Sequence, residues 1–198
     1  MLDLIDLSHW NAEPDWAQLK TTGIAGVIHK YSQGIGYVDP LHAPRKQSAL
    51  DVGLLFGRYH FGDNYSVKAQ VANFLKTWTP DEMLALDWEN NGAETMSLGQ
   101  ARIFVTMVYD QTGVYPALYS GNALKDAINV GGNPGILTSC RLWLAHYAAK
   151  PTLPAGWDRY WLWQYTDTGT VSGISGPVDQ NRFDGGKKAL RASWTPQA

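Results

Sequence analysis

Short apolar runs alternate with amphipathic stretches along most of this chain, and that alternation constrains its fold more than any other feature. Residues 2–7, 26–31, 54–61, 83–88 and 117–120 read as strands: short, rich in apolar residues and free of interior proline. Between them, residues 15–22, 41–52, 66–78, 97–112 and 123–129 read as helices. The stretch 66–78 carries Val67, Val71, Phe74, Leu75 and Trp78 on one helical face. The longest, 97–112, is expected to turn Ile103, Met107 and Val108 inward and to stop at Gly113. Gly23 and Gly53 mark two further stops. After residue 129 the rhythm changes. Residues 141–146, 160–165 and 178–183 read as strands, the first two joined by a proline-containing loop rather than a helix. Strands alternating with helices imply parallel β–α units. The expected fold is α/β: an irregular TIM-like barrel of five β/α units followed by about three β-strands. It should occupy residues 1–192 as one domain, with 193–198 as a C-terminal tail.

Composition narrows the function. The net charge of −2 excludes a partner held by phosphate neutralisation, so no nucleic acid is expected. No stretch approaches 18 uncharged apolar residues, so no membrane partner is expected either. Nine Trp, ten Tyr and five Phe suit a large core, or a cleft lined with the flat faces that sugar rings require. Cys140 is the only cysteine, which leaves no intrachain disulfide and no cysteine metal cluster.

The most informative segment is LALDWENN, where Asp87 and Glu89 stand two apart at the end of a strand. Side chains at i and i+2 project to one face. Two carboxyls held together raise the proton affinity of at least one. The C-terminal ends of barrel strands are also where barrel active sites lie. Taken alone, an Asp-x-Glu triplet is more often a solvated strand end; the apolar run before it and Trp88 between the acids turn the reading toward function. Asp6 ends the first apolar run in the same manner, where a cap is the plain alternative. Asp179, in GPVDQNRF, reads by spacing as an ordinary turn aspartate.

Other chemistries lack support. The five histidines show no HExxH or other ligand spacing, so neither a metal nor a cofactor is expected. Ser8, Ser32 and Ser120 sit in no G-x-S-x-G elbow. Residues 33–36 (QGIG) are followed by no helix-borne Lys-Ser/Thr, so they form no phosphate loop.

Taken in order, DLSHWN, VIHKYSQG, GYVDP, GRYHF, LALDWE, PALYS, RLWLAHY and WLWQYTDTGTVSGISGPVDQNRF resemble the motifs of family 25 of the glycoside hydrolases, the Chalaropsis-type lysozymes. The likeness covers nearly the whole chain. It implies a barrel of five β–α units followed by strands, and hydrolysis of the β-1,4 bond between N-acetylmuramic acid and N-acetylglucosamine in peptidoglycan. By motif, Glu89 corresponds to the general acid, with Asp6, Asp87 and Asp179 as the other carboxylates of the site. Lys30, Gln33, Tyr37, Phe61, Tyr119, Trp143 and Gln164 correspond to substrate-binding positions. Where the family often has Glu in its second-strand motif, this chain has Gln33.

The resemblance further implies a monomer acting on glycan strands of the bacterial wall, as a phage endolysin or a bacterial enzyme. Residues 1–10 lack the pattern of an export leader. The expectation is therefore synthesis in the host cytoplasm with later release, or non-classical export. Two alternatives stay open at this level: a chitinase-like glycosidase, since chitinases also end a strand in D-x-E, and a non-catalytic sugar-binding module. Inverting, retaining and substrate-assisted routes are not separated by sequence.

Overall fold

The computed structural model describes residues 2–194. Nine strands are present in it: β1 (Leu4–Leu7), β2 (Gly26–Gln33), β3 (Tyr37–Val38), β4 (Leu55–Phe61), β5 (Met83–Asp87), β6 (Ala117–Ser120), β7 (Leu142–Ala145), β8 (Leu162–Gly169) and β9 (Val178–Phe183). Six α-helices accompany them: α1 (Trp16–Thr21), α2 (His42–Asp51), α3 (Val67–Leu75), α4 (Leu98–Thr112), α5 (Asn122–Asn129) and α6 (Lys187–Ala192). Around the sheet the order is β1-β2-β4-β5-β6-β7-β8-β9, and β9 pairs back to β1. Eight strands thus close a barrel, with β3 appended as a hairpin on β2. All neighbours are parallel except β9, which runs antiparallel to both β8 and β1. Closure leaves the barrel no exposed sheet edge.

The period of two in each strand splits the apolar residues between two layers. Leu4, Ile28, Met83, Ala85, Ala117 and Leu162 pack into one cluster in the barrel interior. Leu84, Leu86, Leu118, Leu142 and Leu144 point the other way and pack with Val71 and Phe74 of α3 and Phe104 and Val108 of α4. Gly57 makes the interior possible. A Cβ there would come within 3.0 Å of the Met83 side chain and 3.2 Å of the Trp194 ring.

Helix ends follow their sequence signals. Ser97 and Gln100 form a capping box at the start of α4, and Gly113 ends it at φ 74°. Such an N-cap contributes about 1 kcal/mol.

Three expectations differ from what is observed. Ile103 is exposed, because the inward face of α4 is Ala101, Phe104, Val105 and Val108; Ile103 falls one residue off that stripe. The β3 hairpin and α6 had no sequence reading. Ser193 and Trp194, placed in the tail, pack against the body instead. Trp194 is buried, its indole N–H donates to the Phe56 carbonyl (3.0 Å), and with Leu190 it closes the lower end of the barrel. Residues 195–198 of the expected tail lie outside the described residues. No helix among the described residues is long and apolar enough to cross a membrane.

Candidate active site

The parallel strands bring their C-terminal ends to one mouth of the barrel. There β1 delivers Asp6 and β5 delivers Asp87. Because β9 runs the opposite way, its second residue, Asp179, reaches the same mouth and stands directly opposite Asp6 in the register. Trp88 turns outward into the helical layer, where its indole N–H donates to the Met96 carbonyl (2.7 Å). The alternation then returns Glu89 to the inner side with Asp87. Asp6, Asp87, Glu89 and Asp179 together line a cavity of about 210 Å³, with Tyr59, Tyr119, Trp143, Tyr147 and Gln164. A second hollow of about 300 Å³ adjoins it, sharing Glu89, Tyr119 and Tyr147 and adding Asn90, Asn122 and His146. Of the four acids, Glu89 alone lines both spaces.

Four carboxyls in so small a volume cannot all be ionised, and the site holds protons accordingly. Burial, then the Glu89 charge, pushes Asp87 well above the usual carboxylate range, with Lys30 pulling against them. One Asp87 oxygen is buried without a hydrogen-bond partner. Burial and the Asp6 charge also raise Glu89. Burial and the Asp6 charge raise Asp179 to about 9. Asp6 rises only to about 6, because hydrogen bonds from Asn181, Gln164 and Asp179 offset part of its burial.

The expected substrate-binding residues fall into two groups. Lys30 is buried beside the acids; its ammonium donates to the Gln33 amide oxygen (2.6 Å) and lies 5.0 Å from the Phe61 ring and 5.7 Å from the Tyr37 ring. Tyr37 is partly exposed, and its hydroxyl bonds His9 Nδ1 (3.0 Å). These four sit beside the cavity rather than among its lining residues. Tyr119, Trp143 and Gln164 form the floor and wall, and each is buried. Their polar atoms are spent on protein partners. The Tyr119 hydroxyl donates to Gln164 (2.8 Å), and the Trp143 indole to Asn181 (2.6 Å). Gln164 and Trp143, expected to bind substrate, line the cavity while their polar atoms bond Asp6 and Asn181.

Three residues of the site had no sequence reading. Tyr59 lies two before Phe61 on the inner face of β4, and Asn181 two after Asp179 on β9, so the same alternation that paired Asp87 with Glu89 points to both. Tyr147 lies in the loop after β7 and carried no local pattern. Among the described residues, no three His, Cys, Asp or Glu side chains are arranged to hold a metal ion.

Residues 5–174 match the model of the glycosyl hydrolases family 25. The chain belongs to that family. This glycoside hydrolase is 28% identical over 207 residues to lysozyme M1 of Streptomyces globisporus, across 95% of its own length and 69% of the relative's. It is 25% identical over 198 residues to the N,O-diacetylmuramidase of Chalaropsis sp., across 88% and 94% of the two chains. Among solved structures, the bacterial lysozyme of Streptomyces coelicolor superimposes with a TM-score of 0.87 at 28% identity, covering 98% of this chain and 97% of that one. The resemblance read from the motifs and the barrel closed by the strands thus agree.

Proposed function

We propose that this family 25 hydrolase is an N-acetylmuramidase, cutting the β-1,4 bond between N-acetylmuramic acid and N-acetylglucosamine in bacterial peptidoglycan. Glycoside cleavage needs a protonated carboxyl at the leaving oxygen and negative charge, or a neighbouring group, at the oxocarbenium-like centre. The observation that carries the reading is the position of Glu89. It spans the junction of the acid cavity and the adjoining hollow, and it is held above its ordinary proton affinity. A glycan lying across both spaces would set its scissile oxygen beside Glu89, which protonates it as the C1–O bond breaks.

Asp87 supplies the opposing charge. Lys30 faces both acids and pulls Asp87 toward its charged form against burial and the Glu89 charge. Asp6 adds negative charge from the floor, and Asp179 hydrogen-bonds to it. Tyr119 and Tyr147 offer aromatic edges, and Asn122 and His146 polar groups, to the ring on the outer side. The names borne by its relatives, lysozyme and diacetylmuramidase, support the substrate class.

The test is Glu89→Gln, nearly isosteric but unable to deliver a proton. Turnover of peptidoglycan should fall by ~10²–10⁴-fold, the usual worth of general acid catalysis, with circular dichroism unchanged. A folded variant that keeps more than half of wild-type activity refutes the assignment.

A further inference from the structure

Two acids face each other across β1 and β9, and the surrounding amides treat them differently. Gln164 Nε2 donates to both oxygens of Asp6 (3.2 and 3.1 Å). Its own Oε1 accepts from the Tyr119 hydroxyl (2.8 Å) and the Tyr147 hydroxyl (2.7 Å). With both phenols donating to its oxygen, the amide turns its Nε2 to Asp6, whose carboxylate can only accept. Asn181 repeats the device. Its Oδ1 accepts from the Trp143 indole (2.6 Å), which turns its Nδ2 toward Asp6 (2.7 Å). Asp6 is thus faced by amide donors from both Gln164 and Asn181, which favour its ionised form. Asp179 accepts from neither amide and hydrogen-bonds to Asp6.

We infer that Gln164, locked by Tyr119 and Tyr147, is a positioning residue that keeps the charge on Asp6 and the shared proton on Asp179. Of the other charged and titratable groups around the pair, most bear on both acids, and Asp167 of β8 adds to the asymmetry. Asp87 and Glu89, from β5 and the residues after it, bear on both acids, as do the weakly acidic Tyr59 of β4 and Tyr147, while Tyr119 of β6 faces Asp6. Lys30 of β2 faces Asp87 and Glu89, and Asp167 of β8 pushes the proton toward Asp179. The directions agree with the lock: Asp6 sits near 6 and Asp179 near 9. The consequence for catalysis rests on the muramidase reading; the placement of the proton does not.

The test is carboxyl ¹³C NMR of Asp-labelled enzyme, wild type and Tyr119→Phe/Tyr147→Phe, titrated from acid to alkaline pH. In the wild type, Asp6 should ionise first. In the double variant the Gln164 amide is free to turn its oxygen to Asp6, and the Asp6 midpoint should rise by about one pH unit, the size of one hydrogen bond to a charged group. Tyr147→Phe alone leaves Tyr119 in place, folds readily because Tyr147 is half exposed, and should shift Asp6 less. A wild type in which Asp179 ionises first overturns the inference, and so does an Asp6 midpoint that neither variant moves. The acid limb of kcat/KM on peptidoglycan is read in parallel and should follow the Asp6 midpoint upward. If the carboxyl resonances shift and the limb does not, the lock stands and the catalytic use of Asp6 fails.

Discussion

The acid cavity inside the barrel and the Glu82 network outside it are both buried collections of charge, built to opposite ends. Glu82 is sealed between β4 and the α2 helix, where it accepts from Arg58, from Lys46 (2.9 Å) and from His42 (3.1 Å). Arg58 in turn donates to the carbonyls of Phe74, Lys76 and Thr77 and lies 3.9 Å from the Tyr31 ring. Burial alone would raise the Glu82 pKa. Its hydrogen bonds to His42 and Arg58, and their charges, bring it down to about 2. In the cavity the same burial acts on four carboxyls, of which Lys30 faces Asp87 and Glu89, and all four rise. The supply of cations, not burial, decides whether an interior acid is a strut or a proton store.

That contrast predicts opposite behaviour for two conservative substitutions. Asp87→Asn should cut peptidoglycan turnover by ~10²-fold or more, since it removes the charge that faces the reaction centre and weakens the hold of Glu89 on its proton. Glu82→Gln should leave turnover per folded molecule intact and cost about 3–5 kcal/mol in denaturant unfolding, because it strands the buried Arg58. Equal loss of stability in both variants would erase the distinction.

Stability against pH sharpens it. The Glu82 carboxylate is depressed from 4.5 to about 2, so its contribution is present above pH 4.5 and lost as pH falls through about 2. The stability gap between wild type and Glu82→Gln should close over that window. Asp179 is raised from 3.8 to about 9, so keeping its proton costs the fold progressively more as pH rises between those values. Asp179→Asn should therefore melt higher than wild type, by a margin that grows from about pH 4 toward pH 9, while activity falls. A margin that shrinks with rising pH would show Asp179 ionised. A smaller effect is expected for Lys30→Met. Lys30 opposes the rise of both Asp87 and Glu89, so without it the pH profile of activity should move to higher pH.

Much of this was legible in sequence. The eight barrel strands and five of the helices follow from periods of two and 3.6 and from glycine stops, which are local properties. Asp87 and Glu89 were legible for the same reason, since one strand carries both. Asp6 and Asp179 are 173 positions apart in sequence, and only the family motifs joined them; the antiparallel return of β9 is what sets them face to face. Tyr147 was invisible because a loop brings it in. Gln164 was visible in the motif WLWQY, but nothing local indicates that two tyrosines claim its oxygen and bury it. Trp194 looked like tail because the pocket it fills is made by Gly57 and Trp161, far away along the chain.

The most direct measurement is the chemistry of the products from purified peptidoglycan. Digestion should release new reducing sugar ends without new free amines, and reduction with borohydride followed by acid hydrolysis should find muramitol as the new end. Glucosaminitol in its place, new amines from the peptide stems, or equal cutting of chitin oligomers would contradict a muramidase built around Glu89.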